Sequence, residues 1–173
     1  MAPDTRDNPA RPEIIPERLE RLIHHQVNSI RRSLDIAPLA WDSLLADVAR
    51  GHSREMAERN TFSHLGRGGT TPTDRATSAG YECVKENGDY RYLGVAENIY
   101  MTYIYGSRRT YHTGSGVRRK YDWKTMDEIA EQIVDGWMNS PGHRRNIVEA
   151  RHDREGIGIF RAGDQLYITQ NLC

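Results

Sequence analysis

The chain has 173 residues and a mass of 19.8 kDa, the length of one domain or of one domain with a tail. Its 24 basic and 24 acidic residues cancel, which argues against a whole-domain polycation for nucleic acid and against an acidic solvating tail. Hydrophobic residues make up 37%, mean hydropathy is −0.76, and the apolar runs fall far short of the ~20 residues that a membrane-spanning helix needs.

In chain order, residues 1–15 are rich in Pro, Asp and Arg without periodicity and are expected to form a flexible lead-in. Met1–Asp7 carry no apolar secretory leader, which leaves either a cytoplasmic protein or one whose leader lies outside this sequence. Pro16 suits a first helical turn, and Leu19, Leu22, Ile23, Val27, Ile30 and Leu34 trace one helix face. Asp42 is a good N-cap for a second helix that carries Leu45, Val48, Ala49, His52, Met56 and Ala57 and ends near Asn60. A glycine-bearing loop runs over 61–71, and a short helix is expected from Pro72 to Gly80. Residues 106–122 hold Arg108, Arg109, Arg118, Arg119 and Lys120 among Tyr, Gly and Ser, and read as an exposed loop or a ragged hairpin. Thr125–Glu128 is a capping box that opens a helix through Trp137, and Pro141 begins a shorter one through Ile147. Residues 156–160 and 165–170 alternate about a turn and predict a β-hairpin. The fold class is therefore α+β.

Cys83 and Cys173 are the only two cysteines and form no CxxC motif. Cys173 ends an expected strand, where a crosslink would pin a fraying terminus; a bridge closing ~90 residues is worth roughly 4–5 kcal/mol. A Cys83–Cys173 disulfide, and with it an oxidising compartment, is the expectation.

Of seven histidines, His24 and His25 are helical neighbours of which at most one points inward. His52 lies on an apolar stripe and reads as a core residue with one hydrogen bond; His112 and His152 fall in polar stretches and are expected to be solvated. His64 lies just past a helix end and His143 at the mouth of a helix, while Glu97 is a carboxylate in an apolar stretch, costly unless paired. Two imidazoles and one carboxylate suit a divalent metal, zinc above all, with water completing the shell. The same three could equally make a polar cluster without metal. One of Arg144 and Arg145 is expected to face an acidic ligand or to pair with Glu97 or Asp135, and Trp41 and Trp137 are expected in the core.

Leu39-Ala40-Trp41-Asp42, the stretch 49–57, Asn60-Thr61-Phe62-Ser63-His64, Ala96-Glu97-Asn98-Ile99, the stretch 133–144, Gly156-Ile157-Gly158-Ile159 and Tyr167–Asn171 together resemble the CAP superfamily. This is the group of cysteine-rich secretory, antigen 5 and pathogenesis-related proteins, or SCP-like extracellular domains. The likeness covers roughly 18–173, and Asn139-Ser140-Pro141-Gly142-His143 resembles its prokaryotic branch. The resemblance implies a three-layer α-β-α sandwich, with a small antiparallel sheet between helical layers and a surface cleft. That cleft carries two His and two Glu, and some members bind zinc there through the His pair. By position the histidines are His64 and His143, the first glutamate is Glu97, and the second glutamate's place is taken by Ser140.

The function expected on these grounds is a secreted or surface-exposed binding module whose cleft of His64, Glu97, Ser140 and His143 takes a lipid, glycan or peptide, with zinc on His64 and His143 as the candidate cofactor. The alternative is a metal-dependent, protease-like hydrolase in which Glu97 takes a proton from zinc-bound water. A third reading makes the 106–120 segment a polyanion patch, but a solvated loop is expected, and nucleic acid is not an expected partner.

Overall fold

A computed structural model describes residues 10–88, 90–114 and 116–173. The five α-helices are α1 (Pro16–Ser33), α2 (Ser43–Glu58), α3 (Pro72–Ser78), α4 (Met126–Met138) and α5 (Pro141–Val148). The strands are β1 (Ala40–Trp41), β2 (Val84–Asn87), β3 (Tyr90–Leu93), β4 (Ala96–Tyr103), β5 (Tyr105–Thr113), β6 (Gly116–Trp123), β7 (Arg154–Ala162) and β8 (Gln165–Leu172). One sheet has the order β1-β7-β8-β4, with β1 parallel to β7 and the other pairs antiparallel. The hairpins β2–β3 and β5–β6 stand apart from it.

Local chemistry sets the helix starts. Asp42 accepts hydrogen bonds from the Leu44 and Leu45 amides, and reciprocal capping boxes open α3 (Thr71/Asp74) and α4 (Thr125/Glu128). Leu19, Ile23 and Val27 repeat every four residues on α1 and are fully buried. They pack with Ile129, Ile133 and Trp137 of α4, Ile147 of α5, and the inward residues Ile157, Ile159, Leu166, Ile168 and Leu172 of the sheet. This core forms one outer layer. Alternate residues of the sheet point the other way, where Tyr167 meets Met56 and the Ser53 hydroxyl donates to Thr169 Oγ1 of β8.

The second layer, α2, lies directly on the backbone of β7. A Cβ at Gly156 or Gly158 would fall 2.1 Å from the Ala46 nitrogen and 2.0 Å from the Arg50 nitrogen, so both positions demand glycine. The result is an α-β-α sandwich. Arg31, fully buried at the end of α1, donates to the carbonyls of Ala37, Ile147, Glu149 and His152 and so ties α1 to the C-terminal end of α5.

Cys83 and Cys173 are joined by a disulfide between Cα atoms 5.6 Å apart, fastening the end of β8 to the start of β2. Of the expected lead-in, residues 1–9 lie outside the described residues. The remainder lies against the domain: Ile14 is buried in the main core and Arg11 pairs with Asp164. Residues 105–123 form a β-hairpin exposed along most of its length.

Candidate functional site

β4 is an edge strand, and the candidate cleft gathers at its free edge. Asn146 Nδ2 donates to the Glu97 carbonyl and Trp137 Nε1 to the Ile99 carbonyl, so side chains of α5 and α4 satisfy edge groups that would otherwise be open. Trp137 is fully buried, as expected.

The loop that carries His64 leaves α2 through Asn60, whose φ of 50° lies in the left-handed region that Asn tolerates. His52, buried on α2, donates from Nε2 to the Ser63 carbonyl at 2.9 Å and fixes this loop. That single hydrogen bond is the structural role expected of it. Burial pushes its pKa down, ahead of the opposing pull of Glu97, whose Oε1 lies 3.8 Å from Nε2.

Glu97 has a side chain only 1% exposed, and both of its oxygens are engaged. Oε1 accepts from His64 Nδ1 at 2.9 Å, and Oε2 accepts from Arg75 Nη2 at 2.5 Å. The Arg75 Nη1 group donates to the carbonyls of His64 and Thr70, at 3.0 Å each. One guanidinium therefore neutralises the carboxylate and holds the histidine loop against it. Of the alternatives for Arg144 and Arg145, pairing with Glu97 is corrected here: the cation on Glu97 comes from α3.

His64 itself is half-exposed, with a side chain 49% accessible. The His143 ring on α5 stands 6.4 Å from it, centroid to centroid, tilted by 53°. Burial first, and then the nearby His64, push the His143 pKa down. Ser140 is the N-cap of α5 but makes no side-chain capping bond. Among the described residues no hydrogen bond joins it to His64, Glu97 or His143. Phe62 and Leu65, which flank His64 in the loop, expose half or more of their surface.

A buried polar chain supports the cleft from behind. Asn98 Nδ2 donates to the His143 carbonyl and to Gln170 Oε1, while Asn98 Oδ1 accepts from Asn146 Nδ2. Gln170 Nε2 continues along the α1-covered face of the sheet to Glu155, which accepts from His24 Nδ1 of α1 at 2.6 Å. His24 is thus the inward member of its pair, and His25 is exposed. His152 departs from the solvated state expected of it: it is half-buried and donates from Nδ1 to the Asn146 carbonyl. Sequence reasoning missed Arg75, Asn98 and Asn146. The one signal for Arg75 was the need of a buried carboxylate for a nearby cation.

Zinc takes three protein ligands at catalytic centres and four at structural ones. Here Glu97 is spent on His64 and Arg75, and Ser140 stands where a further carboxylate would, which leaves His64 Nε2 and the His143 ring. Among the described residues no group of three or more His, Cys, Asp or Glu side chains could hold a metal ion. Among the described residues the cleft therefore offers zinc the two imidazoles alone, short of either complement.

The family profile described as "Cysteine-rich secretory protein family" (CAP) matches residues 24–172. The chain is 30% identical over 153 residues to the "Uncharacterized membrane protein YlbC" of Bacillus subtilis, covering 88% of this chain and 34% of YlbC. A crystal structure of an extracellular protein containing a SCP domain from Bacillus anthracis is 25% identical, with a TM-score of 0.63 over 94% of this chain and 44% of that one. The structure of NaASP2 with Zn2+ shares the fold at 14% identity, with a TM-score of 0.58 over 94% and 83% of the two chains. This chain spans about a third of YlbC and under half of the Bacillus anthracis protein. No helix among the described residues is long and apolar enough to cross a membrane. With helices on both faces of its sheet and a profile match over most of its length, the chain belongs to the CAP family.

Proposed function

We propose that this CAP domain is a ligand-binding module, secreted or displayed at the cell surface, whose cleft at the β4 edge recognises a lipid, glycan or peptide. The observation that carries this reading is the engagement of both Glu97 oxygens. A carboxylate accepting from an imidazole and a guanidinium is an orienting group. It fixes the His64 tautomer with the proton on Nδ1, leaving Nε2 to meet a ligand hydroxyl or amide. His143, held toward its neutral form, offers a second imidazole across the cleft. Exposed Phe62 and Leu65 beside them suit a ligand with an apolar part.

The hydrolase alternative requires Glu97 free to take a proton from water, and a third metal ligand. Neither requirement is supported by the geometry. Nor is the neighbouring Ser63 hydroxyl aimed at a base: His52 donates to the Ser63 carbonyl, and the hydroxyl accepts from the Leu65 amide. The location outside the cell draws on the Cys83–Cys173 disulfide and on the extracellular SCP-domain protein from Bacillus anthracis.

The test follows the histidine rings by NMR during titration with a fatty acid, a peptidoglycan fragment and an oligopeptide in turn. One of these is expected to shift the His64 and His143 resonances and to leave His24 unmoved. If none moves either ring, or if one is cleaved at a rate abolished by Glu97→Gln, the reading is overturned.

A further inference from the structure

The β5–β6 hairpin concentrates charge in a chain whose total is zero. Residues 105–123 hold five cations, Arg108, Arg109, Arg118, Arg119 and Lys120, against one acid, Asp122. Several arginines elsewhere are matched to acids: Arg50 to Glu20, Arg59 to Glu55, Arg75 to Glu97 and Arg151 to Glu149. No ion pair of this kind is formed by the four hairpin arginines among the described residues. The register places Arg109 directly opposite Lys120, a like-charge cross-strand pair that destabilises a free hairpin. Arg109 and Lys120 also wall a groove of about 320 Å³, completed by Ser107, Tyr121 and Asp122.

Aromatic rings pack at the root of the hairpin, and two apolar side chains are exposed further out. Tyr121 stacks on Trp123 with centroids 4.4 Å apart, Tyr105 packs edge-on against both, and Ile104 beneath them is fully buried. Such an anchor is needed, because an isolated two-stranded hairpin is marginal in water. Further out, near the turn, Tyr111 is 45% and Val117 55% exposed on opposite faces of the ribbon, each beside arginines, so both reach a surface that the hairpin meets tip first. Cations next to an exposed aromatic and an aliphatic side chain match the headgroup layer of a membrane, where phosphates lie above acyl chains. A soluble polyanion would satisfy the arginines but gives Val117 nothing to do.

We propose that the β5–β6 hairpin is a peripheral docking arm for an anionic lipid bilayer: Arg108, Arg109, Arg118 and Arg119 meet headgroup phosphates while Tyr111 and Val117 enter the interface. This surface is independent of the cleft reading.

The test is co-sedimentation of the full chain with vesicles of phosphatidylcholine mixed with phosphatidylglycerol, and with phosphatidylcholine alone, at low and high salt. Binding is expected only to the anionic vesicles and is expected to fade with salt. Each Arg→Ser change should weaken it about fivefold, and all four together roughly several-hundredfold. Tyr111→Ser with Val117→Ser should weaken vesicle binding and leave binding to soluble polyphosphate unchanged. His64→Ala should leave vesicle binding intact, which separates this proposal from the cleft. Far-UV circular dichroism checks that the sandwich survives, since none of these side chains lies in its core. The proposal is overturned by absent vesicle binding, by equal binding to neutral vesicles, by an affinity that the arginine variants retain or that Tyr111→Ser with Val117→Ser leaves unchanged, or by binding to polyphosphate alone.

Discussion

Glu97 on β4 and Glu155 on β7 are buried in the same sheet, and each accepts a hydrogen bond from the Nδ1 atom of a histidine, His64 and His24 respectively. They differ in what lies beyond the imidazole. The His64 side chain is 49% exposed, so its far nitrogen can meet solvent or a ligand. The His24 side chain is 12% exposed; Trp41 stands edge-on to it, centroids 5.4 Å apart, and Arg21 covers Trp41 in turn. They differ also in their second partner, which is the guanidinium of Arg75 for Glu97 and the neutral amide of Gln170 for Glu155. A carboxylate–histidine pair is thus a structural device used twice here, and only an opening on its outer side makes one copy a candidate site.

The largest effect is expected on removing the cation from the first pair. Arg75→Met leaves Glu97 buried with His64 as its one remaining hydrogen-bond donor among the described side chains, at a cost of about 3–5 kcal/mol in urea unfolding. It also frees the His64 carbonyl, so amide exchange in the 61–66 loop should quicken. A loss below ~1 kcal/mol would mean that water already reaches Glu97. His24→Ala ranks next, at about 1–3 kcal/mol, because Glu155 keeps the Gln170 amide while losing its imidazole. Ligand-induced shifts at His64 and His143 should survive that change. Their loss would show that the polar chain through Asn98 couples the two pairs.

The acid limb of stability sharpens the contrast between cleft and interior. His52 and His143 in the cleft, and His152 behind it, all have pKa values pushed down by burial. In each case the folded value lies below the unfolded one of about 6.5, so the unfolded chain binds more protons in the window beneath it. Their stabilisation is therefore present above about pH 6.5 and is lost as pH falls through each folded value. Each contributes a slope of up to about 1.4 kcal/mol per pH unit within that window. His152→Asn is expected to flatten the profile of unfolding free energy against pH by one proton and to leave the His143 titration unmoved. An unchanged slope would place His152 in water.

Much of the sandwich was legible because its signals are local or periodic. Leu19, Ile23 and Val27 mark the buried face of α1, Thr125 and Glu128 mark the start of α4, and the alternation of 156–160 and 165–170 marks the β7–β8 hairpin. The β5–β6 hairpin could not be told from a loop, since alternation arises from burying one face and here both faces meet solvent. Arg75, Asn98 and Asn146 were illegible for another reason. Their partners lie 22, 72 and 48 residues away, and a single polar side chain on a short helix or strand leaves no repeating trace. The same blindness hid His152, whose partner is a backbone carbonyl. What pairs with a buried charge is decided by topology, whereas that it must be paired is decided by physics.

The smallest effect on stability should carry the largest effect on function. His64→Ala removes a half-exposed partner from a carboxylate that Arg75 still neutralises, so urea unfolding should shift by only about 0–1 kcal/mol. The Nε2 lone pair that faces the cleft disappears with it, and ligand binding followed at the His143 ring should be lost. His64→Gln separates the two roles further, because a side-chain amide can restore a hydrogen bond to Glu97 without an imidazole. If Gln restores binding as well as stability, the cleft needs only a donor toward Glu97 and an acceptor toward the ligand. If binding stays lost while stability returns, the imidazole itself is what the cleft presents, and the contrast with the closed His24–Glu155 pair is one of function built on a shared frame.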